Sequence, residues 1–172
     1  MGDGIYIGKA WGSNTTNIPE DVSIIRPKVD RVRRNGISLT SGKNIYIKKP
    51  VISNITDIDG ISSTGPSSGI DLEPEAALTD PAPVIEDCII EDPTFINCKI
   101  NLNFWNQYPN ATMKLHIKGI MNVYSEFNNS TGLWIGNEDR ALNFKAELAG
   151  QERGVMFAQD QGSALLSCRS TV

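Results

Sequence analysis

Gly69-Ile70-Asp71-Leu72-Glu73 sets an apolar residue at every second position behind a glycine. The same shape recurs in Gly4-Ile5-Tyr6-Ile7-Gly8 and Gly36-Ile37-Ser38-Leu39-Thr40. Looser copies are Ile100-Asn101-Leu102-Asn103-Phe104 and Gly132-Leu133-Trp134-Ile135-Gly136. The leading apolar positions are 5, 37, 70, 100 and 133, which gives spacings of 32, 33, 30 and 33 residues. A further copy, Gly154-Val155-Met156-Phe157, follows 22 residues after position 133. Such a period marks stacked repeats, none of which can bury its apolar face alone.

Between these copies lies a second strand signal, in Val22-Ser23-Ile24-Ile25, Ile45-Tyr46-Ile47-Lys48, Ile85 to Ile90 and Lys114-Leu115-His116-Ile117. A third and shorter one follows in Pro50-Val51-Ile52-Ser53 and Thr94-Phe95-Ile96-Asn97. Each period therefore holds two or three short strands joined by turns rich in Gly, Asn, Asp and Pro. Hairpin partners return after two to five turn residues, so this spacing does not suit a sandwich. It predicts a solenoid, in which equivalent strands of successive coils pair in parallel about 4.8 Å apart. The composition agrees: 21 Ile against 10 Leu favours strands, and 15 Gly with 15 Asn favours tight turns. Helical periodicity is absent, and only residues 139–149 and 151–153 leave room for a short helix.

Several function classes are excluded early. A net charge of −4 without a basic block argues against a dedicated nucleic-acid binder. No stretch reaches the roughly 18 apolar residues of a membrane-inserting helix, and no basic-then-apolar leader opens the chain. Cys88, Cys98 and Cys168 lack metal or disulfide-framework spacing. His116 is the single histidine, which rules out any site needing two. Its place in Leu115-His116-Ile117 predicts an imidazole on the solvent face of a strand.

The runs Asp3-Gly4-Ile5-Tyr6-Ile7, Arg33-Arg34-Asn35-Gly36-Ile37-Ser38-Leu39, Gly42-Lys43-Asn44-Ile45-Tyr46-Ile47 and Gly69-Ile70-Asp71-Leu72-Glu73-Pro74 resemble the pectate-lyase-like superfamily. Within it they are most similar to the β-helix of bacteriophage tailspikes and capsule depolymerases. The resemblance implies an all-β, right-handed parallel β-helix. At about 30 residues per coil the chain makes about five to six coils, clear over residues 3–136 and weaker over 137–172. Neither end carries an obvious cap, so the chain is expected to be a piece of a longer protein, or to have its ends covered by a partner.

Alternation places Tyr6, Ser38 with Thr40, Asp71 with Glu73, Asn101 with Asn103, then Trp105 and Trp134 on an outward ladder of the first sheet. Aromatic faces stack on sugar rings, while carboxylates and amides bond their hydroxyls. Asp71 and Glu73 stand about 6–7 Å apart by strand rise, and glycoside hydrolysis needs two such carboxylates. They are the candidate catalytic pair, with Glu75 in reserve, and an exposed acidic strand edge is the plain alternative. Tyr6, Arg33, Arg34, Asn101, Asn103, Trp105 and Trp134 are the candidate substrate-binding residues. The basic cluster of Lys28, Arg31, Arg33 and Arg34 reads either as a cradle for an acidic glycan or as a solvated turn. Residues 57–68 form a flexible loop positioned to wall a groove, and Asp57-x-Asp59-Gly60 lacks the final glutamate of a calcium loop.

The expectation is a tailspike module that binds and hydrolyses a bacterial surface polysaccharide without a cofactor. By the resemblance it assembles as a homotrimer on a virion tail, outside the cell. A calcium-assisted polysaccharide lyase or epimerase, and a non-catalytic adhesin, are the competing readings.

Overall fold

The computed structural model describes residues 2–9, 17–56, 63–75, 84–106, 112–119, 121–124, 131–137, 148–149 and 155–157. Among these residues there are sixteen strands and no helix. The chain first runs through β1 (Ile5–Ile7), β2 (Ser23–Ile25) and β3 (Lys28–Asp30). A second pass holds β4 (Ile37–Leu39), β5 (Gly42–Lys43), β6 (Tyr46–Lys48) and β7 (Val51–Ser53). Then come β8 (Ser68–Leu72), β9 (Val84–Glu91) and β10 (Thr94–Ile96), followed by β11 (Ile100–Asn106), β12 (Thr112–Lys118) and β13 (Met121–Tyr124). The series continues with β14 (Thr131–Asn137), β15 (Leu148–Ala149) and β16 (Val155–Phe157).

Three sheets result, ordered β1-β4-β8-β11-β14-β16, β2-β6-β9-β12 and β3-β7-β10-β13-β15, with β5 pairing onto β9. Every neighbouring pair among the described strands is parallel, for example β1 with β4, β4 with β8 and β8 with β11. Each of the first four passes thus adds a strand to each sheet in turn, which is consistent with a parallel β-solenoid. The stretches 139–147 and 151–153, where the sequence left room for a helix, lie outside the described residues.

Register explains the isoleucine bias. On the first sheet Ile5, Ile37, Ile70, Leu102, Leu133 and Val155 share one row, and Ile7, Leu39, Leu72, Phe104, Ile135 and Phe157 share the next but one. The second sheet aligns Ile24, Ile47, Ile90 and Ile117, and the third aligns Val29, Ile52, Phe95 and Val123. The buried members of these rows form one core. Fully burying each such side chain contributes about 1.5–3 kcal/mol. β-Branched residues suit these rows because their stiff χ1 fits the pleated surface. Cys88 and Cys98 are buried thiols that behave as small apolar groups there. His116 is exposed between buried Leu115 and Ile117, as the alternation requires.

The corners repeat as regularly as the strands. Asp21 and Asn44 precede β2 and β6, Asp87 takes the equivalent place inside β9, and all three have φ between 51° and 56°. Arg26, Lys49 and Asp92 separate the second sheet from the third with φ of 54°, 50° and 48°. Arg31, Asn54 and Asn97 follow the third with φ of 55°, 56° and 53°. One left-handed residue turns the chain from the second sheet into the third and another turns it out of the third, and Asn and Asp tolerate that conformation best among non-glycine residues. The asparagine-rich composition is therefore partly a corner requirement. Side chains also cross-link these corners: Asn54 Nδ2 donates to Asp30 Oδ1 at 2.7 Å, and Lys49 Nζ lies 3.9 Å from Asp92 Oδ2.

The glycines where β4 and β8 begin have a steric cause. A Cβ on Gly36 would lie 2.4 Å from Ile52 Cγ2, and one on Gly69 would lie 2.5 Å from Phe95 Cδ1. At these two positions the backbone runs so close to third-sheet core residues that no side chain fits. Gly69→Val is expected to cost about 1–3 kcal/mol through overpacking, read as a lower urea midpoint. An unchanged midpoint would show that the corner relaxes around the added atoms.

Candidate functional site

Tyr6, Ser38, Asp71, Asn103 and Trp134 occupy one row of the first sheet, each paired with the next. The row is the one read from alternation. Its exposure is different. Asp71 is 1% exposed and Asn103 5%, and Ser38, Thr40 and Asn101 are buried with them. β8 is buried along its whole length, Ser68 to Leu72, so both faces of this part of the sheet are covered. The expected open ladder is therefore a buried polar row. Its accessible members gather at one side: Tyr6 is 45% exposed, and Glu73 and Glu75, just past β8, are half-buried. Trp105 is half-buried near the end of β11. The Trp134 side chain, residues 57–62 of the preceding loop, Trp11 and Cys168 lie outside the described residues.

Asp71 is held from two sides. Asn35 Nδ2 donates to its Oδ2 at 2.8 Å, and Asn103 Nδ2 donates to its Oδ1 at 2.7 Å. Asn35 is itself fully buried. Its Nδ2 also reaches Ser38 Oγ at 3.1 Å, while its Oδ1 accepts the Ser68 N–H at 3.0 Å. Burial pushes the Asp71 carboxyl from its ordinary 3.8 up to about 6. The Asn103 amide and the Arg34 charge oppose that rise, and Asp3 and Glu75 add to it.

Glu73 continues the pairing of β8, its N–H donating to Leu39 O at 3.2 Å, and the Glu75 N–H does the same to Thr40 O at 3.1 Å. Pro74, which has no N–H to satisfy, falls between them. Burial drives the Glu73 carboxyl from 4.5 up to about 7, with the charges of Asp71 and Glu75 adding to the effect and Arg34 opposing it. Glu75 Oε2 accepts the Tyr6 hydroxyl at 3.3 Å, and that hydroxyl accepts from Thr40 Oγ1 at 2.9 Å. Two carboxyls poised near neutrality can divide a proton between them, one giving it and one receiving it.

The basic cluster divides. Arg31 Nε lies 3.6 Å from Asp30, on the solvent side of the third sheet. Arg34 lies 3.8 Å from Asp3 Oδ2 and acts electrostatically on Asp71 and Glu73, so it belongs with the carboxylates. Lys28 and Arg33 are exposed. Among the described residues no group of three or more His, Cys, Asp or Glu side chains is placed to hold a metal ion. Asn35 and Asp3 are site residues that alternation does not reveal. Asn35-Gly36 is recognisable as a turn, but nothing in a turn signal says that its amide folds onto a carboxylate of the next pass.

The raised carboxyls have a consequence for stability. Between about pH 4 and pH 7 the folded chain binds more protons at Asp71 and Glu73 than the unfolded chain does, so their contribution is full below pH 4 and falls as pH rises through about 6 and about 7. Urea midpoints at pH 4.5, 6 and 7.5 should decline more steeply in the parent than in an Asp71→Asn, Glu73→Gln double variant. Equal slopes would contradict the raised values. No family model, curated protein or solved structure matches this chain, so any functional reading rests on this geometry.

Proposed function

We propose that the chain is a glycan-binding and glycan-hydrolysing β-helix module, with Asp71 and Glu73 as its carboxylate pair. The observation that carries this reading is the coupling of two carboxyls two residues apart, one in β8 and one just past it, both raised towards neutrality and one of them half-exposed. Hydrolysis of a glycosidic bond needs a protonated acid at the leaving oxygen and an ionised carboxylate across the scissile bond. Glu73, the more accessible and more strongly raised, holds the proton. Asp71, with an amide donor at each oxygen, is the ionised partner, and its 1% exposure requires the cover over β8 to open when a glycan binds. Glu75, tied to Tyr6, keeps like charge beside Glu73 and so helps retain its proton.

Tyr6 and Trp105 offer aromatic faces for sugar rings at the accessible side, and Arg34 lies near enough to polarise a bound hydroxyl or carboxylate. Asn101 and Asn103 act from below, through the buried row. The finer architecture belongs to the same proposal: a right-handed parallel β-helix of about five to six coils, resembling phage tailspikes, trimeric and extracellular, with a bacterial surface polysaccharide as substrate. Arg33 and Trp134 extend its binding surface.

Asp71→Asn and Glu73→Gln should each lower the rate of reducing-end release from a susceptible polysaccharide by at least about 100-fold, with binding to the intact polymer retained. Wild-type release by both variants would remove the pair from catalysis. Unsaturated uronate absorbance in the products would transfer the site to a lyase, and intact polymer after long incubation with the parent would leave an adhesin.

A further inference from the structure

The polar row contains an arrangement that the paired-carboxylate reading does not use. Three successive first-sheet passes contribute one side chain each: Asn35 ahead of β4, Asp71 in β8 and Asn103 in β11. The two amides close on the carboxylate from opposite sides, at 2.8 Å and 2.7 Å, and each takes a different oxygen. Both amides are buried, Asn35 fully and Asn103 to 5% exposure.

Asn35 is also fixed at its other end. Its Oδ1 accepts the Ser68 backbone N–H, which settles the amide orientation, so that Nδ2 must face Asp71 and Ser38. The donor is therefore locked by the strand that carries the carboxylate, three residues before it. Asn103 is placed by register alone, as the direct partner of Asp71 in β11. The charged groups acting on Asp71 are Asp3 and Glu75, which oppose its ionisation, and Arg34, which favours it, while Glu73 keeps its proton as Asp71 ionises. Burial and two negative groups stand against one positive group, so without the amide donors Asp71 would keep its proton to a higher pH.

We propose that Asn35 and Asn103 are positioning residues that hold Asp71 ionised and fix the direction of its carboxylate. This rests on the reading of Asp71 as the ionised member of the pair. A hydrogen bond to a charged carboxylate favours the charged form, and two such bonds pin both oxygens in one plane. Loss of either amide donor raises the pH at which Asp71 ionises, and moves the acid limb of the activity profile the same way.

The test is a carboxyl-carbon NMR titration of Asp71 in the whole chain and in the variants Asn35→Asp, Asn35→Ser and Asn103→Leu. Asn35→Asp is nearly isosteric and keeps the acceptor for Ser68, so it preserves the fold where a truncation does not. The Asp71 midpoint is expected to rise by about one pH unit when a single donor is lost, and further in Asn35→Asp, where a like charge replaces the donor. A midpoint that stays in place in folded Asn35→Asp and Asn103→Leu would overturn the proposal. The titration needs no substrate, so its outcome is independent of the hydrolysis reading. If the parent releases no product while the midpoint moves as expected, the amide clamp stands and the hydrolysis reading falls.

Discussion

In-register parallel stacking governs everything else in this chain. Once Ile37 sits over Ile5 and under Ile70, every residue of each strand is committed to the same neighbours about 4.8 Å away. An inward position must then be apolar in each pass, because a polar group there has two apolar rungs and no donor. The same commitment applies to the polar row. Asp71 has Ser38 on one side and Asn103 on the other by the geometry of the ladder, whatever the chemistry requires. The corners obey it too, since a left-handed residue in one pass requires one at the equivalent place in the next, or the strands lose step.

Within that frame, the two carboxyls differ in what sets them. Asp71 is the more deeply buried, yet the Asn103 amide and the Arg34 charge restrain the effect of burial, while Asn35 donates to its other oxygen. Glu73 is half-exposed, but it meets the charges of Asp71 and Glu75, with Arg34 against them. Desolvation is the leading cause in both, and the neighbours decide the order. A row of residues at fixed spacing thus produces two ionisable groups, two residues apart, with different tendencies to hold a proton.

The strand plan was legible because the signal that builds it is periodic. Glycine followed by alternating Ile and Leu, at intervals near 30 residues, specifies rows, sheets and inward faces together. The alternation of Leu115, His116 and Ile117 likewise predicted which side chain faces water. Less was legible about the outward face of the first sheet. Alternation says only which side of a strand a residue occupies, and here that side is covered as well, so Asp71, Asn101 and Asn103 are buried rather than presented on an open surface. Asn35 was invisible for a related reason. Its side chain acts across passes, on a residue 36 positions later, and no local pattern encodes such a contact.

Why amides flank Asp71, rather than arginine or lysine, follows from the magnitudes. A full positive charge within about 4–6 Å lowers a carboxyl by 1–3 units, which would leave Asp71 firmly ionised with little affinity for a proton. Purely apolar neighbours would let burial and the nearby Asp3 and Glu75 carboxylates hold the proton in place. An amide gives one directional hydrogen bond without net charge, so two of them restrain burial without overturning it. The result is a carboxyl near 6, close enough to neutrality both to release and to receive a proton. Asn also fits the row sterically, being short enough to stay within one rung and long enough to reach the next. The parallel ladder thus brings the donors to the carboxylate, and their lack of charge keeps that carboxylate able to exchange a proton.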